Sequence, residues 1–307
     1  MNKKFWLIYF LLVAELSAEV IPLINPTDYR SDGPDAGARI SADVSLAARG
    51  KPSAIFYNPA LAIAAEENVL VISGRTQSPA DDLAGRGIIA INLGGPKGVL
   101  SWRRISDFQR QYSSASDTRL TQFRLDEYLL TGVHKKNFWT VGLNLKYLSG
   151  AVAYQSLISQ VPRALISYGY GAGLDLGIIF NPTDNFLAGL SLNNLATFVW
   201  WDRFDSQLIP EEIRLAMSFS PWVNLEIFGE YQQIPRQAAE INRWGLKQKI
   251  PKTPLTIGLG EYRSAESHYL STGGGLITKK FRLDVALERN PDKSGDERYF
   301  FSFQFAL

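Results

Sequence analysis

The sequence contains no cysteine, only two histidines and two methionines, and formal charges that nearly cancel at +2. Each scarcity excludes something. Without cysteine there is no disulfide framework, no thiolate metal site and no lipid-anchored cysteine. A cysteine-free chain also suits passage, unfolded, through an oxidising periplasm. His134 and His268 fall on opposite sides of the membrane in the strand layout below, so a Ser-His-Asp arrangement or a histidine metal site lacks its parts. Near-neutral charge, with no basic run carrying interleaved aromatics, argues against a nucleic-acid partner. No stretch after the first residues approaches the ~18 consecutive apolar residues of a membrane-spanning helix. Gly94-Gly95-Pro96-Lys97-Gly98 and Gly273-Gly274-Gly275 neither fit a phosphate-loop spacing nor open a helix, and read as a turn and a wall bend. No catalytic constellation and no cofactor site is expected.

What is present is alternation. Val141, Leu143, Leu145 and Tyr147 alternate with Thr140, Gly142, Asn144 and Lys146. Ala172, Leu174, Leu176, Ile178 and Phe180 alternate with Gly171, Gly173, Asp175 and Gly177. After the turn Asn181–Asp184, Phe186, Ala188, Leu190 and Leu192 resume the pattern. Period two means extended strands with one apolar face. Each run has about the ten residues of a tilted strand that spans a bilayer. A dry core would reject Lys146 and Asp175 unless paired; a wet lumen would accept them. The expected fold is therefore an all-β transmembrane antiparallel barrel of about fourteen strands, with a small N-terminal hatch.

The pattern divides the chain into three parts. Residues 1–18 read as a secretory signal, with Lys3 and Lys4 before a short apolar run and Leu16-Ser17-Ala18 at the cleavage point; the alternative is a retained N-terminal anchor. Residues 19–66 are a periplasmic lead followed by an Ala- and Gly-rich hatch, with short helices around Ala42–Ala48 and Ala60–Ala65. Residues 67–307 are the barrel. Its connections alternate short and long, as in outer-membrane barrels with short periplasmic turns and longer outer loops. The long ones are placed at Ser106–Leu120, Ser149–Tyr168, Leu195–Glu211 and Arg289–Glu297. The last strand puts Tyr299, Phe301, Phe303, Phe305 and Leu307 on one face. Such a row on a soluble edge strand would invite aggregation.

Two regions carry a resemblance. Ala36-Gly37-Ala38-Arg39 followed by Pro52-Ser53-Ala54-Ile55-Phe56-Tyr57-Asn58-Pro59-Ala60 resembles the N-terminal segment of the FadL-like outer-membrane proteins, particularly their PorV/PorQ branch. Val141-Gly142-Leu143-Asn144-Leu145-Lys146-Tyr147, Gly173-Leu174-Asp175-Leu176-Gly177 and Gly189-Leu190-Ser191-Leu192-Asn193-Asn194-Leu195 resemble the middle strands of that branch and of the related UPF0164 group. The resemblance implies a fourteen-stranded barrel with a hatch in the bacterial outer membrane. It implies a non-catalytic role in type IX-like protein secretion, with exported proteins or secretion components as partners. Its other implication is passage of hydrophobic small molecules such as long-chain fatty acids. A structural or adhesive outer-membrane protein and a secreted soluble β-protein are the remaining alternatives.

Three groups of residues are candidates for function. Phe56, Tyr57, Asn58 and Pro59 are the hatch turn, read either as structural or as a ligand gate. Asn144, Lys146, Asp175, Arg214, Glu230, Arg282 and Asp284 are polar residues on lumen positions, where glycine is also frequent. Trp200, Trp201 and Phe204 cluster in a supposed outer loop, read either as an interfacial aromatic girdle or as a docking patch. Outer-membrane lipid is the remaining expected partner.

Overall fold

The computed structural model describes residues 36–49, 51–64, 69–77, 89–95, 98–113, 117–158 and 161–306. The expected signal, residues 1–18, and the lead up to Pro34 lie outside the described residues. The strands are β1 (Val69–Gln77), β2 (Ile89–Gly95), β3 (Gly98–Ser113), β4 (Asp117–Lys136), β5 (Trp139–Ile158), β6 (Val161–Thr183) and β7 (Phe186–Trp201). They continue as β8 (Gln207–Leu208), β9 (Glu212–Trp222), β10 (Leu225–Ile234), β11 (Ala239–Lys249), β12 (Leu255–Ser264), β13 (His268–Ile277), β14 (Phe281–Arg289) and β15 (Glu297–Ala306).

Neighbouring strands are antiparallel, and the sheet closes on itself. β15 returns to pair with β1, from Val69 opposite Ala306 to Gln77 opposite Arg298. β6 pairs with both β5 and β7. Among the described residues the two-residue β8 pairs only with β7, which leaves fourteen strands in the ring. Closure gives the backbone N–H and C=O groups of each strand a partner, which hydrocarbon demands.

The outward face is apolar and uncovered by protein. Leu145 is 49% exposed, and Leu143, Leu174, Leu176, Ile178, Leu215 and Val285 behave alike. Water would penalise such a face at about 25 cal/mol per Å²; lipid does not. Aromatics bracket the band. At the end with the short turns, Trp139 packs on Phe180 with ring centroids 4.5 Å apart, and Trp222 is exposed. At the other end Tyr128 meets Tyr147 at 5.9 Å, beside exposed Tyr168 and Tyr170. From Trp139 to Tyr147 is roughly 26 Å of strand, or roughly 20 Å of height at a barrel tilt.

The strands do not stop there. The segments expected as long loops at Ser106–Leu120 and Ser149–Tyr168 are largely strand. β3 pairs with β4 as far as Ser113 opposite Thr118, and β5 with β6 as far as Ile158 opposite Val161. The wall from β3 to β7 therefore rises well above the membrane. Above the lipid, neither face needs to be apolar. The backbone ladder continues there while the side-chain alternation fades. Likewise Leu195–Glu211 is not one loop, because β7 runs to Trp201.

Candidate functional site

The ring is filled from within by residues 36–64. Short helical turns at Ala36–Arg39, Ser45–Ala48, Pro52–Phe56 and Pro59–Ala64 carry the segment across the lumen. Its many alanines favour helix, but Pro52 and Pro59 break the run and each opens a new short turn, where a missing N–H costs nothing. The wall accommodates it with glycine. A Cβ on Gly142 or Gly177 would collide with Pro59 and Asn58, and one on Gly260 would lie 2.7 Å from the Ala42 nitrogen. Glycine in a strand permits this close approach.

Polar ties then fix the segment. Arg39 pairs with Glu288 of β14 at 3.0 Å, and Lys51 with Asp284 at 2.9 Å. The Ser45 N–H donates to Glu230 at 2.7 Å. Wall amides complete the set: Asn144 Nδ2 donates to the Ile55 carbonyl at 3.1 Å, and Asn193 Nδ2 to the Tyr57 carbonyl at 3.2 Å.

The four residues of the hatch turn are buried among these ties. The Phe56 ring lies under the Arg103 guanidinium, 4.7 Å from its centroid. The Tyr57 hydroxyl donates to Asp43, also within the segment. Asn58 works in two directions. Its Oδ1 accepts from the Ala60 N–H at 2.9 Å, and its Nδ2 donates to the Leu190 carbonyl of β7 at 3.1 Å. Pro59 meets Gly142 and Gly177.

The lumen polar candidates resolve into three charge-paired clusters. Asn144, Lys146 and Asp175 form the first, with Asp175 at its centre. Asp175 Oδ1 takes Lys146 Nζ at 2.7 Å and the Asn194 N–H at 2.8 Å, while Oδ2 takes Asn144 Nδ2 at 2.9 Å. Lys146 also reaches Glu127 at 3.1 Å and Asn194 Oδ1 at 2.7 Å, and Glu127 pairs with Arg103. Arg214 and Glu230 form the second, with Glu212, Gln232 and Arg243; Arg214 and Arg243 share Glu230 at 3.3 and 3.2 Å. Arg282 and Asp284 form the third, with Lys51 of the segment; Arg282 lies 2.8 Å from Asp284. Buried charges persist only when paired in this way.

Sequence reasoning missed Arg103, Glu127, Asn193 and Asn194. Glu127 lies between Leu125 and Leu129 at the same inward parity, and its neighbour Asp126 blurred the alternation. Asn194 has φ +61° within a register shift between β6 and β7, which strand periodicity does not reveal.

The tryptophan candidates need correction. Trp200 and Trp201 belong to β7, so period two sends them to opposite faces. Trp200 faces outward, 43% exposed, and stacks on Phe198 at 6.2 Å, which fits a place in the girdle. Trp201 faces inward and is 8% exposed. It joins Phe123, Leu125, Leu148, Val152, Val199 and Ile209 in an apolar cluster, with Phe204 packed against it. This cluster lines the lumen on the outer side of the Asp175 cluster. It also corrects the expectation of an inner face made only of small and polar residues.

The chain after Trp201 folds back onto this lining. β8 pairs with Phe198 and Val199, and the Ile209 N–H donates to the Thr197 carbonyl at 2.9 Å. Asn194 Nδ2 holds the Pro210 carbonyl at 3.1 Å. Asn194 thus touches both this strap and Asp175, and Asp175 reaches the N-terminal segment through Asn144.

The closed antiparallel ring has counterparts among solved structures. The CymD monoaromatic hydrocarbon channel superposes with a TM-score of 0.69 at 10% identity, over 91% of this chain and 99% of that one. The protein has the fold of the FadL-like outer-membrane channels. A Pseudomonas aeruginosa FadL homologue gives a TM-score of 0.60 at 9% identity, covering 89% of this chain and 98% of that one. A deltaS2 mutant of the TodX monoaromatic hydrocarbon channel gives 0.53 at 10% identity, covering 91% and 100%. No protein-family model and no curated protein sequence matches the chain.

Proposed function

We propose that the protein is a non-catalytic channel of the bacterial outer membrane for small hydrophobic compounds, with residues 36–64 as its hatch and Phe56–Pro59 as the turn that seats the hatch. The apolar cluster at the outer end of the lumen carries this reading. An aqueous porin has a polar interior, whereas here Phe123, Leu125, Leu148, Val152 and Val199 face inward above the hatch. Such a lining favours solutes that shed water readily. The shared fold supports the same reading, since CymD and TodX are described as monoaromatic hydrocarbon channels. Protein export of the type IX kind and a purely adhesive role have no comparable observation in their favour. The test is uptake of labelled toluene and laurate by intact cells of a host stripped of its own channels of this kind. Expression of the protein raises uptake if the reading holds. Uptake equal to that of cells carrying an empty vector refutes it.

A further inference from the structure

The inward cluster contains one side chain whose placement looks like that of a ligand. Leu125, Gly150, Gly169 and Trp201 stand directly opposite one another on β4, β5, β6 and β7. They form a single inward row. The Trp201 ring lies along this row, across its two glycines. A Cβ added to Gly169 would come within 2.6 Å of the indole, and one added to Gly150 within 2.7 Å. The floor of the site is therefore bare backbone, flat over two strands. Phe123, two residues from Leu125 on β4, has its ring centroid 6.0 Å from that of Trp201, tilted by 53°. A flat floor beside an aromatic ring rewards planar ligands, because ring stacking adds to area burial.

The indole packs within the inward cluster and is tied to the strap. Its Nε1 donates to Gln207 Oε1 at 3.2 Å, in the two-residue strand β8. The next residue is anchored firmly: the Asp202 N–H donates to the Tyr168 carbonyl, and its carboxylate accepts from the Tyr168 N–H, both at 3.0 Å, and from the Ser167 hydroxyl. These bonds hold the wall backbone independently of the indole.

We infer that Trp201 occupies the seat of a flat apolar ligand of one or two fused rings, and that such a ligand enters by displacing the indole and the strap that holds it. The inference rests on the proposed channel function and adds to it a seat, a gate residue and a shape preference. Because the protein's own ring competes for the seat, apparent affinity is lowered by the fraction of time the seat is filled.

The test uses the full-length protein purified in detergent, with equilibrium dialysis against naphthalene and against dodecane as a non-planar comparator. Heat-modifiable migration confirms that each variant is folded. If the seat is vacant for ~1–10% of the time, Trp201→Ala binds naphthalene about 10- to 100-fold more tightly than the wild type. Adding Gly169→Leu, which fills the floor, abolishes the gain, and dodecane binding is the same in all three proteins. Trp201→Phe, with its smaller ring, gives an intermediate affinity and serves if the alanine variant does not fold. Equal naphthalene affinity in the wild type, the Trp201 variants and the double variant overturns the inference, as does binding by Trp201→Ala with none by the wild type, since a cavity cut into an apolar core binds aromatic rings by itself; either leaves Trp201 as core packing. So does an equal gain for dodecane. Failure of the channel reading is separate: cells expressing the wild type would take up neither compound, whatever the dialysis shows.

Discussion

Replacing Asp175 by Asn tests the junction between hatch, wall and strap. The exchange keeps the shape and removes the charge. Both carboxylate oxygens of Asp175 receive donors: Lys146 and the Asn194 N–H on one, Asn144 Nδ2 on the other. An asparagine offers one acceptor and must turn its NH₂ toward a donor. Flipping Asn144 is no remedy. Its Oδ1 accepts from Thr131 at 2.7 Å and its Nδ2 donates to Ile55, so a flip breaks both bonds. The variant thus loses a charge-assisted bond and leaves a buried donor facing a donor. Removing one partner of a buried pair costs about 3–5 kcal/mol. Those partners all belong to the wall, so the hatch feels only the part carried by the Asn144–Ile55 bond, about 0.5–1.5 kcal/mol, which raises its open fraction by roughly two- to tenfold. Limited proteolysis of the folded protein in vesicles, followed at sites between residues 36 and 64, measures this directly. Asp184→Asn, in the exposed short turn between β6 and β7, is the control. Cleavage of Asp175→Asn at the wild-type rate would refute the placement of Asp175 as the junction.

Further outcomes follow from the same geometry. Gly177→Val places a side chain where Asn58 and Pro59 sit; overpacking of about 1–3 kcal/mol appears as faster proteolysis of the hatch in a barrel that remains heat-modifiable. Leu145→Arg sets a charge on the lipid face near mid-wall, and reversible unfolding in vesicles should show a loss of about 2–4 kcal/mol. A double-mutant cycle on Lys51→Met and Asp284→Asn should give a coupling of about 1–3 kcal/mol; a coupling near zero would mean the 2.9 Å pair does not form.

The barrel was legible because lipid imposes a strict rule on each spanning strand. Leu143, Leu145, Leu174 and Leu176 must face outward, so Asn144 and Asp175 had to face inward, as they do. Where that rule lapses, the reading lost its hold. Above the girdle the strands lengthen with no apolar face to announce them, so β4, β5 and β6 were taken for loops at their outer ends. Trp200 and Trp201 were grouped as one patch for the same reason. The inner face obeys a different constraint, complementarity to the hatch, which joins residues far apart in sequence. Lys51 and Asp284, or Arg39 and Glu288, carry no local sign of their pairing. Glycine at Gly177 and Gly260 did signal a close approach, but not which hatch residues approached.

The closing of the lumen by residues 36–64 is most directly tested by single-channel recording in planar bilayers, comparing the full chain with one lacking that segment. The deletion must first be shown to migrate as a folded barrel. The full chain is expected to stay electrically silent while the deletion passes a steady ion current. A full chain that conducts ions as freely as the deletion, or a folded deletion that remains silent, would contradict the account.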